Sequence, residues 1–76
     1  MTTRSVTVGS DWVQITDGTE DITFQVVAGR VLMRDEATKP APSAPGHSVT
    51  GWMGVSPPTV AWVKASGSSQ IELIIS

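Results

Sequence analysis

The sequence predicts an all-β chain, a small antiparallel β-sandwich or flattened, jelly-roll-like barrel of about seven short strands. Three observations predict it. Val, Ile and Thr supply 24 of the 76 residues, against two Leu and six Ala, and β-branched side chains suit a pleated, half-buried surface. Turn signals recur at the roughly 8–12-residue spacing of sandwich and barrel strands. No window carries apolar residues at i, i+3, i+4 and i+7 over three helical turns.

Each element has a local reason. Arg4–Val8 alternates, with Val6 and Val8 on one face, and Gly9-Ser10-Asp11 turns the chain into Trp12–Thr16. Asp17-Gly18 is a hairpin dipeptide, lengthened here by Thr19-Glu20-Asp21. In Ile22–Ala28, Ile22, Phe24 and Val26 share one face while Thr23 and Gln25 share the other. Gly29 marks a tight turn or bulge before Val31–Arg34. Asp35–Gly46 carries Pro40, Pro42 and Pro45 among small residues. It reads as an extended, polyproline-like loop making a Greek-key crossover between sheets, and long loops in small domains are often functional. His47–Thr50 is a weak fifth strand, and Gly51–Pro58 reads as irregular because Pro57-Pro58 cannot donate to a ladder. Val60–Ala65 and Gln70–Ile75 are expected to close the fold as a hairpin around Ser66-Gly67-Ser68-Ser69.

Size and charge narrow the function classes. The chain is short enough to hold only one domain, and such a domain buries only about 60–65% of its unfolded surface. With no Cys there is no disulfide framework and no thiolate metal site. Partner subunits therefore become the expected source of further stability. A net charge of −2 and only five Lys and Arg argue against nucleic acid, since phosphate neutralisation needs a clustered basic face. No apolar run approaches a membrane span, and Met1–Ser10 has no secretory apolar region. A soluble protein, not exported by an N-terminal signal, is the expectation.

No residue set points to catalysis, a cofactor or a metal. His47 is the only histidine, at the end of a loop, and nothing among the nine serines marks a nucleophile elbow. Asp17, Glu20 and Asp21 cluster in one loop and Asp35-Glu36 opens another, yet these are ordinary turn residues without calcium-loop spacing. The glycines lack the spacing of a phosphate loop.

More informative are the tryptophans and the two-sided strands. Trp12 and Trp62 are expected in the core or at a subunit contact, adding area to a core of small Val side chains. Trp52, in the Gly51-Trp52-Met53-Gly54 stretch, is the candidate exposed contact. If Ile71, Leu73 and Ile75 face the core, Ile74 faces outward beside Glu72. Val27 and Leu32 fall on the outer faces of their own strands, and one face assignment adds Val63. These four are the candidate subunit interface, because a contiguous outer apolar patch marks an assembly surface.

The run Val6-Thr7-Val8-Gly9-Ser10-Asp11-Trp12-Val13-Gln14-Ile15-Thr16-Asp17-Gly18, the Ile22–Ala28 strand, the Pro45-Gly46-His47 turn and Val60-Ala61-Trp62-Val63-Lys64-Ala65 resemble the very small β proteins encoded among the structural genes of tailed bacteriophages and prophages. The resemblance covers almost the whole chain. It implies a non-enzymatic virion component, assembled in the host cytoplasm: a capsid decoration (cement) subunit, or a tail- or fibre-associated one. It further implies a homo-oligomer, as a trimer, with the major capsid protein as neighbour and no nucleic acid or membrane partner. The class has no catalytic motif, so no functional residues carry over. The Asp35–Gly46 arm and the Met1–Ser5 tail are the segments expected to order on a neighbour. A carbohydrate-binding or host-adhesion module built on Trp52 is the alternative.

Overall fold

The computed structural model describes residues 3–67 and 69–76. Eight strands follow one another: β1 (Arg4–Val8), β2 (Val13–Gln14), β3 (Ile22–Val26), β4 (Val31–Asp35), β5 (His47–Val49), β6 (Trp52–Val55), β7 (Ala61–Ala65) and β8 (Ile71–Ile75). They form two four-stranded antiparallel sheets, the first in the order β1-β8-β3-β6 and the second in the order β2-β7-β4-β5.

That order has a simple origin. The chain is one long hairpin whose tip lies between β4 and β5, pairing β4 with β5, β3 with β6, β2 with β7 and β1 with β8. Rolling it up brings β8 against β3 and β7 against β4, which is the eight-stranded jelly roll. The strand beyond the expected seven is β6, inside Gly51–Pro58. Its Met53 and Val55 turn to the core while Trp52 and Gly54 face out, and the prolines fall just after it.

Three expected connections are corrected. Asp17-Gly18 and the Ser66–Ser69 segment do not close hairpins, because each links a strand of one sheet to a strand of the other. Ser68 lies outside the described residues, as do Met1 and Thr2 of the expected tail, whereas Arg4 and Ser5 are already in β1. The Pro-rich segment is the reverse case. It is not a crossover between sheets but the connection between the adjacent strands β4 and β5.

Between the sheets, Val8, Phe24, Val31, Val63, Leu73 and Ile75 are fully buried. Val63 is therefore a core residue and not an outer one. Ala61, Val63 and Ala65 form the inner face of β7, leaving Trp62 and Lys64 outside. The buried Thr16 hydroxyl donates to the Thr59 carbonyl (2.8 Å) and accepts from the Ala61 amide (2.9 Å), so it is satisfied on both counts. Gly29 turns the chain from β3 to β4 at φ +85°, and a Cβ there would meet Ile71 Cδ1 at 2.8 Å. Both constraints favour glycine.

A second apolar layer lies outside this core. Residues 36–46 fold back over the outer face of the second sheet and are held by four donors reaching from that face to backbone carbonyls. Trp12 Nε1 donates to Ala41 O (2.9 Å), Trp62 Nε1 to Glu36 O (2.9 Å), Lys64 Nζ to Pro42 O (2.6 Å) and Arg34 Nη1 to Pro45 O (2.9 Å). Trp12 is 2% exposed, with the Lys64 ammonium 4.9 Å from its ring centroid, a cation–π distance. Pro40, within the arm, is itself buried. Gly46 passes so close that a Cβ would sit 3.1 Å from Trp12 Cη2 and 3.2 Å from Leu32 Cβ. Trp12 thus belongs neither to the central core nor to a free outer surface; it is covered by the chain's own arm. The arm expected to order on a neighbour is already ordered on its own sheet. An exposed Lys39–Asp11 pair (2.8 Å) adds a tether. The Lys39 hydrogen bond holds the Asp11 carboxyl below the usual carboxylate range, so this pairing persists at neutral pH and is lost on acidification through that lowered pKa.

Trp12→Ala should cost about 3–5 kcal/mol, as large-to-small changes of a buried aromatic do, and expose the arm to limited proteolysis. Trp12→Phe, which keeps most of the apolar area but loses the Ala41 bond, should cost about 0.5–1.5 kcal/mol. Chemical denaturation of the two variants checks the order. Equal losses would show that the Nε1 bond, and not the ring area, holds the arm.

Candidate functional site

The arm makes the two outer faces unequal. On the second sheet Leu32 is half-buried beside Gly46 and beneath the arm, so one of the expected interface residues is already covered within the chain. No segment of the described chain lies over the first sheet in this way. Its outer side chains fall in register rows. Ser5 pairs with Ile74, Ile74 with Gln25 and Gln25 with Trp52, a line across all four strands. Beside it run Thr7 and Glu72, with Val27 donating its amide to Glu72 O at 3.1 Å. On the other side Thr23 pairs with Gly54.

In these rows Glu72 is the only ionisable side chain, and the rest are Thr, Ser, Gln and apolar groups. Trp52 is 69% exposed and Val27 50% exposed, the two large apolar side chains most open to solvent among the described residues. Ile74 is half-buried between its row neighbours. Of the four expected interface residues, the structure brings Val27 and Ile74 together on this bare face, with Trp52 at its β6 edge. Leu32 and Val63 are elsewhere.

The open edge of the sandwich, where β5 and β6 run, holds the second feature. Along the inner side of the second sheet one register row reads Val13, Val63, Met33, His47. His47 therefore occupies an inward position at the edge, where the core has run out and the side chain is exposed. Asp35 holds the next inward position on β4, and one of its oxygens accepts the Val60 amide at 3.0 Å. A cleft of about 620 Å³ opens here against Val49, Met53 and Trp52. A smaller depression of about 420 Å³ shares Met33, Asp35 and His47 with it and extends to Arg34 and Pro45. Arg34 is engaged by Pro45 and by Glu36 (2.8 Å). Its Nε is the one buried side-chain polar atom without a partner among the described residues.

The acidic loop reads as a turn. Asp17 Oδ1 accepts from both the amide and the hydroxyl of Thr19 (3.0 and 2.6 Å), and the Thr19 hydroxyl bond lowers its pKa. Among the described residues no group of three or more His, Asp or Glu side chains is placed to hold a metal ion, and no helix is long and apolar enough to cross a membrane. No protein-family model, curated protein or solved structure matches this chain.

Sequence reasoning missed the cleft because its signal is positional. Asp35 and His47 look like loop residues until β4 and β5 are paired, and only then do both prove to face inward. Since His47 bonds to nothing among the described residues, His47→Ala should shift stability by no more than about 0.5 kcal/mol in a denaturation titration. A loss several times larger would mean that the imidazole holds the β5 edge in place.

Proposed function

We propose that this chain is a non-enzymatic structural subunit of a tailed-phage particle, a capsid decoration protein that acts as a homotrimer. The observation that carries the proposal is the contrast between the faces. One is sealed by the chain's own arm, and the other presents an almost uncharged surface with Trp52, Val27 and Ile74. Charged residues are what keep a free sheet face in solution, and their depletion marks the centre of an interface. Each such side chain, once buried, is worth about 1.5–3 kcal/mol before the entropy of association is subtracted.

The sequence resemblance supplies the kind of assembly, and two features agree with it. Jelly rolls are a frequent architecture of capsid proteins, although a fold by itself assigns no role. A subunit without cysteine is compatible with the reducing host cytoplasm in which a virion is built. The major capsid protein is the proposed neighbour, and the particle is the proposed location.

Light scattering after gel filtration should give an oligomer whose thermal midpoint rises with protein concentration. Ile74→Asp should dissociate it, since a carboxylate desolvated at an interface without a partner is costly. Leu32→Asp should instead loosen the arm without being the stronger dissociating change. Cryo-electron microscopy of particles carrying the protein should place it on the capsid surface with the first sheet against its neighbours. A monomer at all concentrations, absent from purified particles, would overturn the proposal.

A further inference from the structure

The cleft at the β5–β6 edge is a place where the two-sided pattern of the strands breaks down. Inner positions of a sandwich are apolar wherever the core continues, yet Asp35 and His47 occupy inner positions of the second sheet. Asp35 accepts the Val60 amide, but the His47 side chain makes no hydrogen bond among the described residues, and a departure without a local structural gain is where function is expected.

The chemistry of the lining selects a ligand class. The floor is apolar, made by Met33, Val49 and Met53, and Trp52 stands at the rim with its ring largely open to solvent. Around it stand the Asp35 carboxylate, the His47 imidazole and the hydroxyls of Thr50 and Thr59. The Val60 amide orients the carboxylate through one oxygen and leaves the other without a partner among the described residues. Neither the imidazole nor the two hydroxyls has an internal hydrogen bond there. An anionic ligand is disfavoured by this set, since Asp35 is present and the neighbouring Arg34 is already bound to Glu36 and Pro45. A pyranose ring has the matching form, with an apolar C–H face to lie on an indole and hydroxyls around its edge. The cleft, of about 620 Å³, is broad and open to solvent, the form that suits a sugar ring laid on a surface rather than an enclosed ligand. The adjoining depression lengthens it for a second ring.

We propose that this cleft binds a neutral oligosaccharide, with one ring against Trp52 and its hydroxyls held by Asp35, His47 and Thr59. Asp35 and His47 lie off the bare face of the first sheet, whereas Trp52 stands where that face and the cleft meet, so the site is offered by the subunit before Trp52 is covered by a partner.

The test is a 1H–15N NMR titration of the full chain with maltotriose, cellotriose and triacetylchitotriose in turn. At least one should shift the Trp52 indole resonance together with the amides of residues 47–50 and 59. Trp52→Ala and Asp35→Asn should each weaken that binding at least about tenfold. Asn keeps an acceptor for the Val60 amide, so Asp35→Asn leaves the fold in place. Ile74→Asp, which uncovers Trp52 where it dissociates an oligomer, should not weaken the binding, so a failure of assembly and a failure of this site give different results. The proposal is overturned if none of the three sugars moves the cleft resonances, or if binding survives undiminished in both Trp52→Ala and Asp35→Asn.

Discussion

A segment with prolines at three of its eleven positions presents more carbonyls than amide protons, and whatever it packs against must supply the donors. Here the outer face of the second sheet supplies four, from Trp12, Trp62, Lys64 and Arg34. Two of the four come from indoles, which also give the prolines an apolar bed, the combination by which proline-rich ligands are recognised between proteins. In this chain the ligand and its groove are joined by β4 and β5. Much else follows from that contact. It extends a small core with a second apolar layer and fixes Gly46 against Trp12. It also covers Leu32 and leaves the first sheet as the one broad face open to a partner.

The strands were legible in the sequence because their signals are local. Alternation in Ile22–Val26 and Ile71–Ile75 gave the correct faces, and Phe24, Leu73 and Ile75 are core residues as their spacing implies. β6 was not legible, since Gly54 and Pro57-Pro58 lower strand propensity while its pairing with β3 is set by tertiary contacts. Topology was hidden for a different reason. Asp17-Gly18 and the Ser-Gly-Ser-Ser segment carry hairpin chemistry, but turn chemistry states only that the chain reverses. It does not state whether the next strand joins the same sheet or the opposite one.

The candidate surfaces divide along the same line. Val27 and Ile74 follow from period-two alternation and lie outside, as expected. Val63 was ambiguous because β7 carries apolar residues on both sides, Trp62 on one and Ala61, Val63 and Ala65 on the other. Small residues go inward here because Phe24 and Leu73 from the first sheet already fill the space between the layers, while the larger indole is needed outside to hold the arm. Leu32 was read correctly as outward, but nothing in the sequence told that the arm would cover it. Trp52 remained exposed for want of any segment above it.

The account rests on one face being closed by the arm and the other being closed only by a partner. Solvent paramagnetic relaxation of the Leu32 and Ile74 methyl groups, measured on the full chain at low and high protein concentration, tests this directly. Leu32, half-buried beneath the arm, should relax equally at both concentrations, and Ile74, half-buried on the bare face, should become more protected at the higher one. Ile74 relaxation unchanged by concentration, or a Leu32 methyl whose protection rises with concentration as that of Ile74 does, would contradict it.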